Sequence, residues 1–549
     1  MNRGIHQPWA CAGLSGGLLL ALATTGQCAV VENITLGNPK ALALGNAVTA
    51  DPPGIDSIHF NPAGLVRLEG RQSQLKLLTA GLNFRVAFGN HDARTQAVID
   101  DFGYQDEATN TTSETSTIGL KLPFTEGVQE WPLPVLVAPT GGASYSPPDS
   151  GVTFATAVYT PMAAGYIREK NDPARFMGEA LSLVKITYFS PSVGVRLNDD
   201  WAVGVSLGLS WQGAAAATQL RVPNFALVLA DELVGQLQNQ GLCPDPDDPD
   251  PFIDLCGGNI GPYTDVARLE FDAEDNLVWN LNMGALWEPV AWFSWGFVYQ
   301  FESTAEMVGT YQLTYGEEWI NFFSGLYESD AWRLINALVP FPTGLRSAED
   351  GYGIESGKAR VELKTPAHFA TGVSVQLTPS WKMNLDAKWT DWGVWEGLEV
   401  QFDKRLDFLK LATLVSPYAE LQTLTIPRHY ESIWNWAFGL EYRYSDSTVL
   451  RLGYEPRKSS VPAHKQDVLL PLGDAELFSI GAGFQWKRKD RIDVALGYLL
   501  AEADVPAGSS TNANSTDQAT NFIYNPYAGM DFSTRVQGVL LEMSYTSQF

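Results

Sequence analysis

Cys243 and Cys256 have twelve residues between them, around the run Pro244-Asp-Pro-Asp-Asp-Pro-Asp-Pro251, and here the chain gathers residues able to do chemistry. Two thiolates so placed suit zinc only with a His or a second Cys pair nearby, and neither is close in sequence. Asp245, Asp247, Asp248 and Asp250 could collect a divalent cation, but the run lacks the Gly and terminal Glu of an EF-hand loop. In an oxidising compartment the expected outcome is a disulfide closing one solvated acidic loop, worth about 3 kcal/mol to its order. No metal and no cofactor is expected. The other patterned side chains are apolar. Trp319, Phe322, Phe323 and Leu326 share a helical face, Ser329 and Asp330 are placed to cap a second helix bearing Trp332, Leu334, Ile335 and Leu338, and Phe225, Leu229, Leu233 and Leu237 form a third stripe. Such stripes either pack on each other or line an entrance for an apolar ligand.

Composition limits what these residues serve. The chain has 549 residues, 36 basic against 62 acidic, a net charge of −26 and only 18% charged side chains, against roughly 25% in an ordinary soluble domain. So acidic a chain, without a basic stripe, repels phosphates, so nucleic acid is excluded as a partner. Beyond the first 30 residues no apolar run approaches the roughly 18 to 20 needed to cross a bilayer as a helix. Residues 1–29, with Arg3, an apolar stretch from Leu14 to Ala23 and small residues at the end, have the build of a secretory signal peptide, with cleavage after Gly26 or Ala29. A lipid anchor on Cys28 is disfavoured by the bulky Gln27 before it.

Period two dominates the rest. From Trp201 to Gln212 the odd positions are Trp201, Val203, Val205, Leu207, Leu209 and Trp211, and the even ones are small or polar. Ile433–Tyr444 and Phe478–Lys487 repeat this, and similar faces recur in 189–197, 277–287, 293–301, 369–377, 381–389, 492–500 and 537–549. Runs of nine to twelve residues exceed the roughly five or six of globular strands and match membrane-spanning ones. Trp201 and Trp211 lie about 33 Å apart along a strand, or about 25 Å of height after a tilt of roughly 40°, the separation of two aromatic girdles. Short turns at 147–150, 198–200, 288–290, 378–380, 445–447 and 488–490 alternate with long connections near 90–129, 161–179, 223–263, 314–356, 403–429, 459–473 and 505–534. Thirteen connections imply fourteen strands, so the fold class is an all-β membrane protein, a 14-stranded antiparallel transmembrane β-barrel. Phe549, with Tyr545, Met543, Leu541 and Val539 on its strand face, resembles the terminal signal read by the barrel-assembly machinery. Residues 30–70 alternate little and carry Ile34, Leu36, Leu42, Leu44, Ile55, Ile58 and Phe60. They are expected to plug the lumen, and residues 71–549 to form the barrel.

In this setting Asn61-Pro62-Ala63, within Ile58-His-Phe-Asn-Pro-Ala-Gly-Leu65 and after Gly45-Asn-Ala-Val-Thr-Ala-Asp51, resembles the hatch motif of the FadL/TodX (OMPP1) outer-membrane transporters of long-chain fatty acids and other hydrophobic compounds. The resemblance extends over the strand order to Phe549; the Cys243–Cys256 insertion and 505–534 lengthen the outer loops. It implies passive uptake through a hatch-gated barrel in the cell outer membrane of a Gram-negative bacterium. It further implies capture in a loop groove, for which Phe225, Leu229, Leu233, Trp319, Phe322, Phe323, Leu326, Trp332 and Ile335 are the candidates. Release would be sideways through a break in the third strand, for which Pro161 to Gly165 is the candidate. A carboxylate head would want a cation, and Arg333, Arg346, Lys404, Arg405 and Lys410 lie near the loops. Expected partners are the hydrophobic ligand, outer-membrane lipids and lipopolysaccharide facing an anionic rim (Asp100, Asp101, Asp106, Glu107), and the assembly machinery; the barrel is expected to be a monomer. A lipid-facing hydrolase is not supported, since His368 shares the lumen face with Ala370, Gly372 and Ser374. A general diffusion porin and a surface adhesin are the alternatives.

Overall fold

The computed structural model describes residues 36–133, 135–223, 225–241, 243, 260–328, 330, 353–406, 409, 417–487, 489–517 and 524–549. The signal peptide, Cys256, Ser329, Trp332, Leu334, Ile335, Leu338, Arg333, Arg346 and Lys410 lie outside them. Fourteen antiparallel strands close a barrel. They are β1 (Gly70–His91), β2 (Leu136–Ser146), β3 (Val152–Ile167), β4 (Ala180–Phe189 and Ser192–Arg196), β5 (Trp201–Leu220), β6 (Ala267–Val290) and β7 (Phe293–Gln300 and Ser303–Tyr315). The ring continues with β8 (Ile354–Thr365 and His368–Gln376), β9 (Trp381–Thr390 and Gly397–Phe402), β10 (Thr423–Pro427 and Ile433–Ser445), β11 (Thr448–Arg457), β12 (Asp474–Lys487), β13 (Asp490–Val505) and β14 (Met530–Gln548). β14 returns to pair with β1 from Gln72↔Gln548 to His91↔Met530, so no edge is left.

Alternation is what makes this wall. On β14 Val539, Leu541, Met543 and Tyr545 are exposed outward, while Leu540, Glu542 and Ser544 between them are buried on the lumen side. One strand thus serves an apolar solvent and a polar interior at once, and the mean hydropathy of the whole chain stays near zero. Two expectations need correction. Strand β3 runs on to Ile167, past the connection expected from residue 161, because a register shift between Tyr159 and Met162 absorbs Pro161 as a bulge. Trp211 is only 5% exposed and does not form the outer girdle with Trp201, because Ile118–Lys121 of the first long connection, which also carries α3 (Ala93–Phe102), lie over the outward side of β4 to β6. There Lys121 donates its backbone N–H to Ser182 Oγ (2.7 Å) and pairs with Asp272 (2.8 Å) and Glu274 (3.5 Å).

The N-terminal segment sits inside this wall. It carries α1 (Pro39–Ala43), capped by Asn38 Oδ1, and α2 (Ser57–Phe60), followed by a 3-10 turn over Pro62–Arg67 that Asn61 caps through the Ala63 N–H. Asn61 Nδ2 donates to the carbonyls of Thr49 (2.8 Å) and, on β6, Ala285 (3.2 Å). Asp386 accepts from the Thr49 N–H (2.8 Å) and hydroxyl (2.7 Å), and Asn46 donates to Glu455 (3.0 Å), which also holds Lys388 (2.8 Å). Asp51 gathers Lys40 (2.9 Å), Lys382 (2.6 Å) and Arg67 (3.4 Å). Burial opposes the Asp51 charge, but these three cations outweigh it and hold the carboxyl far below its ordinary range.

Small inward residues let the segment come this close. A Cβ on Gly284 of β6 would stand 2.0 Å from Asn61 Oδ1, and one on Gly204 of β5 would stand 2.2 Å from the Pro62 backbone. Gly284→Val is therefore expected to lift the segment off the wall at an overpacking cost of about 1–3 kcal/mol while the barrel still closes. Limited proteolysis checks this: residues 36–69 should be cut faster than in the parent protein, and unchanged protection would contradict the docking described.

Candidate functional site

Between the buried N-terminal segment and the long connections the barrel holds a cavity of about 1170 Å³. That exceeds the roughly 300–1,000 Å³ of pockets for drug-sized ligands. Its wall is mostly aliphatic and aromatic, with Leu181, Leu183, Leu269, Phe271, Val361 and Leu363 as representatives, and its polar side includes Arg428 paired with Asp467. Inward positions of β4, β5, β6 and β8 supply this lining because above the segment they change from Gly, Ser and Asn to Ala, Leu and Phe.

A smaller apolar cavity, about 80 Å³, shares Leu181, Leu183, Leu469 and Leu470 with the first. It reaches the wall at β3. Strand β2 pairs with β3 only from Gly141↔Val158 to Tyr145↔Phe154, so β3 has no ladder partner on that side from Tyr159 onward. The pocket is lined from both faces of β3, by inward Ala164 and Tyr166 and by outward Ala163 and Gly165. Gly165 leaves room for the first long connection to fill the gap, since a Cβ there would stand 2.1 Å from the Gly119 carbonyl oxygen. Pro161 stands in the bulge and Gly165 in the unpaired stretch.

Below the large cavity the barrel interior holds a buried amine that sequence reasoning missed. Lys185, two residues along β4 from Leu183, is 2% exposed and donates to Ser303 Oγ (3.0 Å) and Thr365 Oγ1 (2.9 Å). Among the described residues no carboxylate lies within ion-pair distance of it. No local pattern flags Lys185, because its partners are 118 and 180 residues away. Below it, His59 of the N-terminal segment is pushed down to about 3 by burial, with His368, Lys76 and Lys185 adding to the shift, so it is neutral at physiological pH.

The candidate groove residues sit at the rim. Helix α4 (Phe225–Asn239) buries Val228 and Val234 and exposes Leu233 (49%), so its buried side differs from the stripe Phe225, Leu229, Leu233, Leu237. In α5 (Glu317–Glu328), Trp319 is buried with Leu220, Ile260, Val266 and Leu313, and Phe322 packs against them. Leu233, Trp319 and Phe322 do not line the large cavity. The positions of Phe225, Leu229, Phe323 and Leu326 along these helices are described, their side chains are not. Cys243 follows α4; its expected partner lies outside the described residues. Lys404 and Arg405 stand just past β9, half-buried and exposed.

Asp106, expected on an exposed anionic rim, is instead buried under it. Arg221, at the end of β5, makes a bidentate pair with it (2.7 and 3.1 Å), and His91 Nε2 lies 3.2 Å from its second oxygen. The guanidinium is sandwiched by the rings of Phe176 (4.1 Å), Tyr527 (5.3 Å) and Tyr263 (5.4 Å), tying four long connections together. Burial alone would raise the Asp106 pKa, but Arg221 and the hydrogen bonds bring it down to about 2 from 3.8. A depressed carboxyl stabilises the fold above its ordinary pKa and loses that contribution, roughly 2 kcal/mol, as pH falls from about 4 toward 2. Asp106→Asn leaves the buried Arg221 charge uncompensated and should cost about 3–5 kcal/mol of local order. Hydrogen exchange should then speed up in 92–111 and 524–530 at neutral pH, as in the parent below pH 4; unchanged exchange would contradict the clamp.

Residues 17–549 match the family model described as outer membrane protein transport protein (OMPP1/FadL/TodX). A curated relative is the long-chain fatty acid transport protein of Escherichia coli O6:H1 (strain CFT073), 22% identical over 305 residues; the match spans 55% of this chain and 56% of that protein. Among solved structures, a Pseudomonas aeruginosa FadL homologue superposes with TM-score 0.63 at 18% identity, covering 96% of this chain and all of its own. The Ralstonia pickettii toluene transporter TbuX gives 0.56 at 16%, covering 94% and 99%.

Proposed function

The chain belongs to the OMPP1/FadL/TodX family of outer membrane transport proteins, and from that premise we propose that it carries small hydrophobic molecules passively through the cavity and out sideways at β3. The family consists of transporters, not enzymes, and the protein lies in the outer membrane of a Gram-negative bacterium, with short turns in the periplasm and long connections outside. The observation that carries the proposal is the continuity of the two apolar cavities through Leu181, Leu183, Leu469 and Leu470 to a wall stretch where β2 and β3 are not paired. Such a route needs few polar groups. Burying ten methylenes at about 0.8 kcal/mol each gives roughly 8 kcal/mol, micromolar binding before immobilisation costs are deducted.

The N-terminal segment is the hatch on this reading, with Asn61, Pro62 and Ala63 as its hinge against β5 and β6. Ligand reaching the floor displaces its first residues and slips past Gly119 into the membrane. The Cβ position of Gly37 lies 3.4 Å from Leu78 Cβ, close to the roughly 3.5–4.5 Å of a disulfide. The pair Gly37→Cys and Leu78→Cys, oxidised, should stop uptake of a labelled fatty acid or hydrocarbon by cells and reduction should restore it. Uptake at the parent rate in the oxidised state would remove the hatch from the mechanism.

Lys185 separates the two substrate classes of the relatives, fatty acids and toluene. Its amine sits one inward position below Leu183, which lines both cavities, and a charge-assisted hydrogen bond from it to an entering carboxylate would contribute about 1.5–3 kcal/mol. Lys185→Met should lower uptake of a long-chain fatty acid about tenfold or more and leave toluene uptake unchanged. An equal effect on both would assign Lys185 to structure alone.

A further inference from the structure

The wall of the large cavity is interrupted again, six strands further round from the seam of β2 and β3, between β8 and β9. These strands pair from His368↔Thr390 to Gln376↔Lys382 and again from Ala359↔Phe402 to Val361↔Val400. Between the two stretches, 362–367 of β8 and 391–399 of β9 form no ladder pair with each other. The hydrogen bonds found across this gap run from the Asp391 N–H to the Ala367 carbonyl (2.9 Å) and from Trp395 Nε1 to the Lys364 carbonyl (2.7 Å). The neighbouring seam, β9 with β10, is closed by backbone bonds from Arg428 (2.7 Å) and His429 (2.9 Å) to the Glu396 carbonyl and from Tyr430 to that of Trp395 (3.2 Å). The breach therefore belongs to β8 and β9.

The cavity reaches the outside of the barrel at this point. Its wall includes inward Val361 and Leu363 of β8 together with outward Arg360, Glu362 and Lys364 and, on β7, Glu306. A void bounded by both faces of a strand passes beside that strand. Trp395 stands in the opening like a bar, stacked on Tyr430 (centroids 5.5 Å apart, 26°) and edge-on to Trp392 (5.1 Å, 84°). Trp392 Nε1 is buried with no hydrogen-bond partner among the described residues, so this aromatic group is not a fully satisfied piece of wall. The height is informative as well. The breach starts directly beyond Thr390, next to the Trp389↔Trp434 pair, whose Trp434 is half-exposed on the outward face, the position of the outer aromatic girdle. It opens at and just above that girdle, where the outer leaflet meets its polar headgroups, below the layer of long connections.

We propose that the gap between β8 and β9 is a side entrance through which uncharged hydrophobic molecules already dissolved in the outer leaflet pass into the cavity, with Trp395 as its gate. The class of molecule follows from the rim, where Glu306, Glu362, Glu396 and Glu399 outnumber Arg360 and Lys364 and repel a carboxylate. An uncharged alkyl or aromatic compound meets no such charge barrier on its way from the leaflet to the cavity. Fatty acids, charged at the head, keep to the route from above. This inference rests on the proposed function, that the cavity conducts hydrophobic compounds.

Three full-length variants test it, in cells given labelled hexadecane in lipid vesicles. In the register continued from Val361↔Val400, Glu362 faces Glu399 on the outward side, so Glu362→Cys with Glu399→Cys stitches the gap when oxidised. Oxidation should lower hexadecane uptake at least threefold, leave uptake of a long-chain fatty acid unchanged, and be undone by a reductant, which also proves that the stitched barrel is folded. Trp395→Ala should raise hexadecane uptake at least twofold. Hexadecane uptake unchanged by the stitch, while the oxidised Gly37→Cys, Leu78→Cys pair still abolishes it, overturns the side entrance and leaves the proposed function standing. Uptake by the parent protein no greater than by cells without it overturns the proposed function, and the entrance with it.

Discussion

The contact on which the molecule depends is that of the Asn61–Ala63 turn with the inward glycines of β5 and β6. A closed barrel of fourteen strands solves the backbone problem of the membrane, since every strand has two neighbours, but leaves a lumen too wide for side chains alone to fill. The chain fills it with its own N-terminal segment: at Gly204 backbone meets backbone and at Gly284 the Asn61 side chain meets backbone, because no Cβ intervenes. Around this contact the lumen is polar: Asp51 with its three cations, Asp386 on Thr49, Glu455 between Asn46 and Lys388. Many charges on both sides are paired, so hydrogen bonds and ion pairs hold the segment alongside the apolar cluster of Leu36, Leu44, Ile55 and Ile58.

Above the segment the same inward positions turn apolar, and that change creates the cavity. Polar lining would hold water and pass ions; aliphatic lining excludes both and favours molecules that water rejects. Two of the wall's weakly paired seams open on the cavities. At β3 the bulge at Pro161 and the missing β2 partner leave a gap that Gly119 fills, and between β8 and β9 the Trp395 side chain and the Asp391 N–H span a run without ladder pairs. Both seams lie toward the outer leaflet. The proposed transport thus needs no charge transfer, only a path of low polarity with loosely paired walls.

Much of this was legible in the sequence. Strand faces meet different solvents, so period two survives in Trp201–Gln212 and at the C-terminal strand ending in Phe549, and the alternation of short and long connections counted the strands. Asn61-Pro62-Ala63 marked the segment that fills the lumen. What stayed hidden depends on partners far away in the chain. Lys185 looks like any strand lysine until Ser303 and Thr365 close on it, Asp106 reads as a surface acid until Arg221 covers it, and Trp211 reads as a girdle residue until Lys121 reaches Asp272 above it. Trp395 escapes for another reason: an aromatic residue in an interrupted strand carries no signature until the neighbouring ladder is seen to stop.

The central claim is that this barrel conducts hydrophobic molecules and not water or ions. Reconstitution of the purified protein into planar bilayers, with steady conductance recorded in salt solution, tests it most directly. The account requires a quiet membrane in which only rare, small openings appear while vesicles made from the same preparation still take up a labelled hydrocarbon. A large, steady, ohmic conductance would contradict it and make the protein a general diffusion porin.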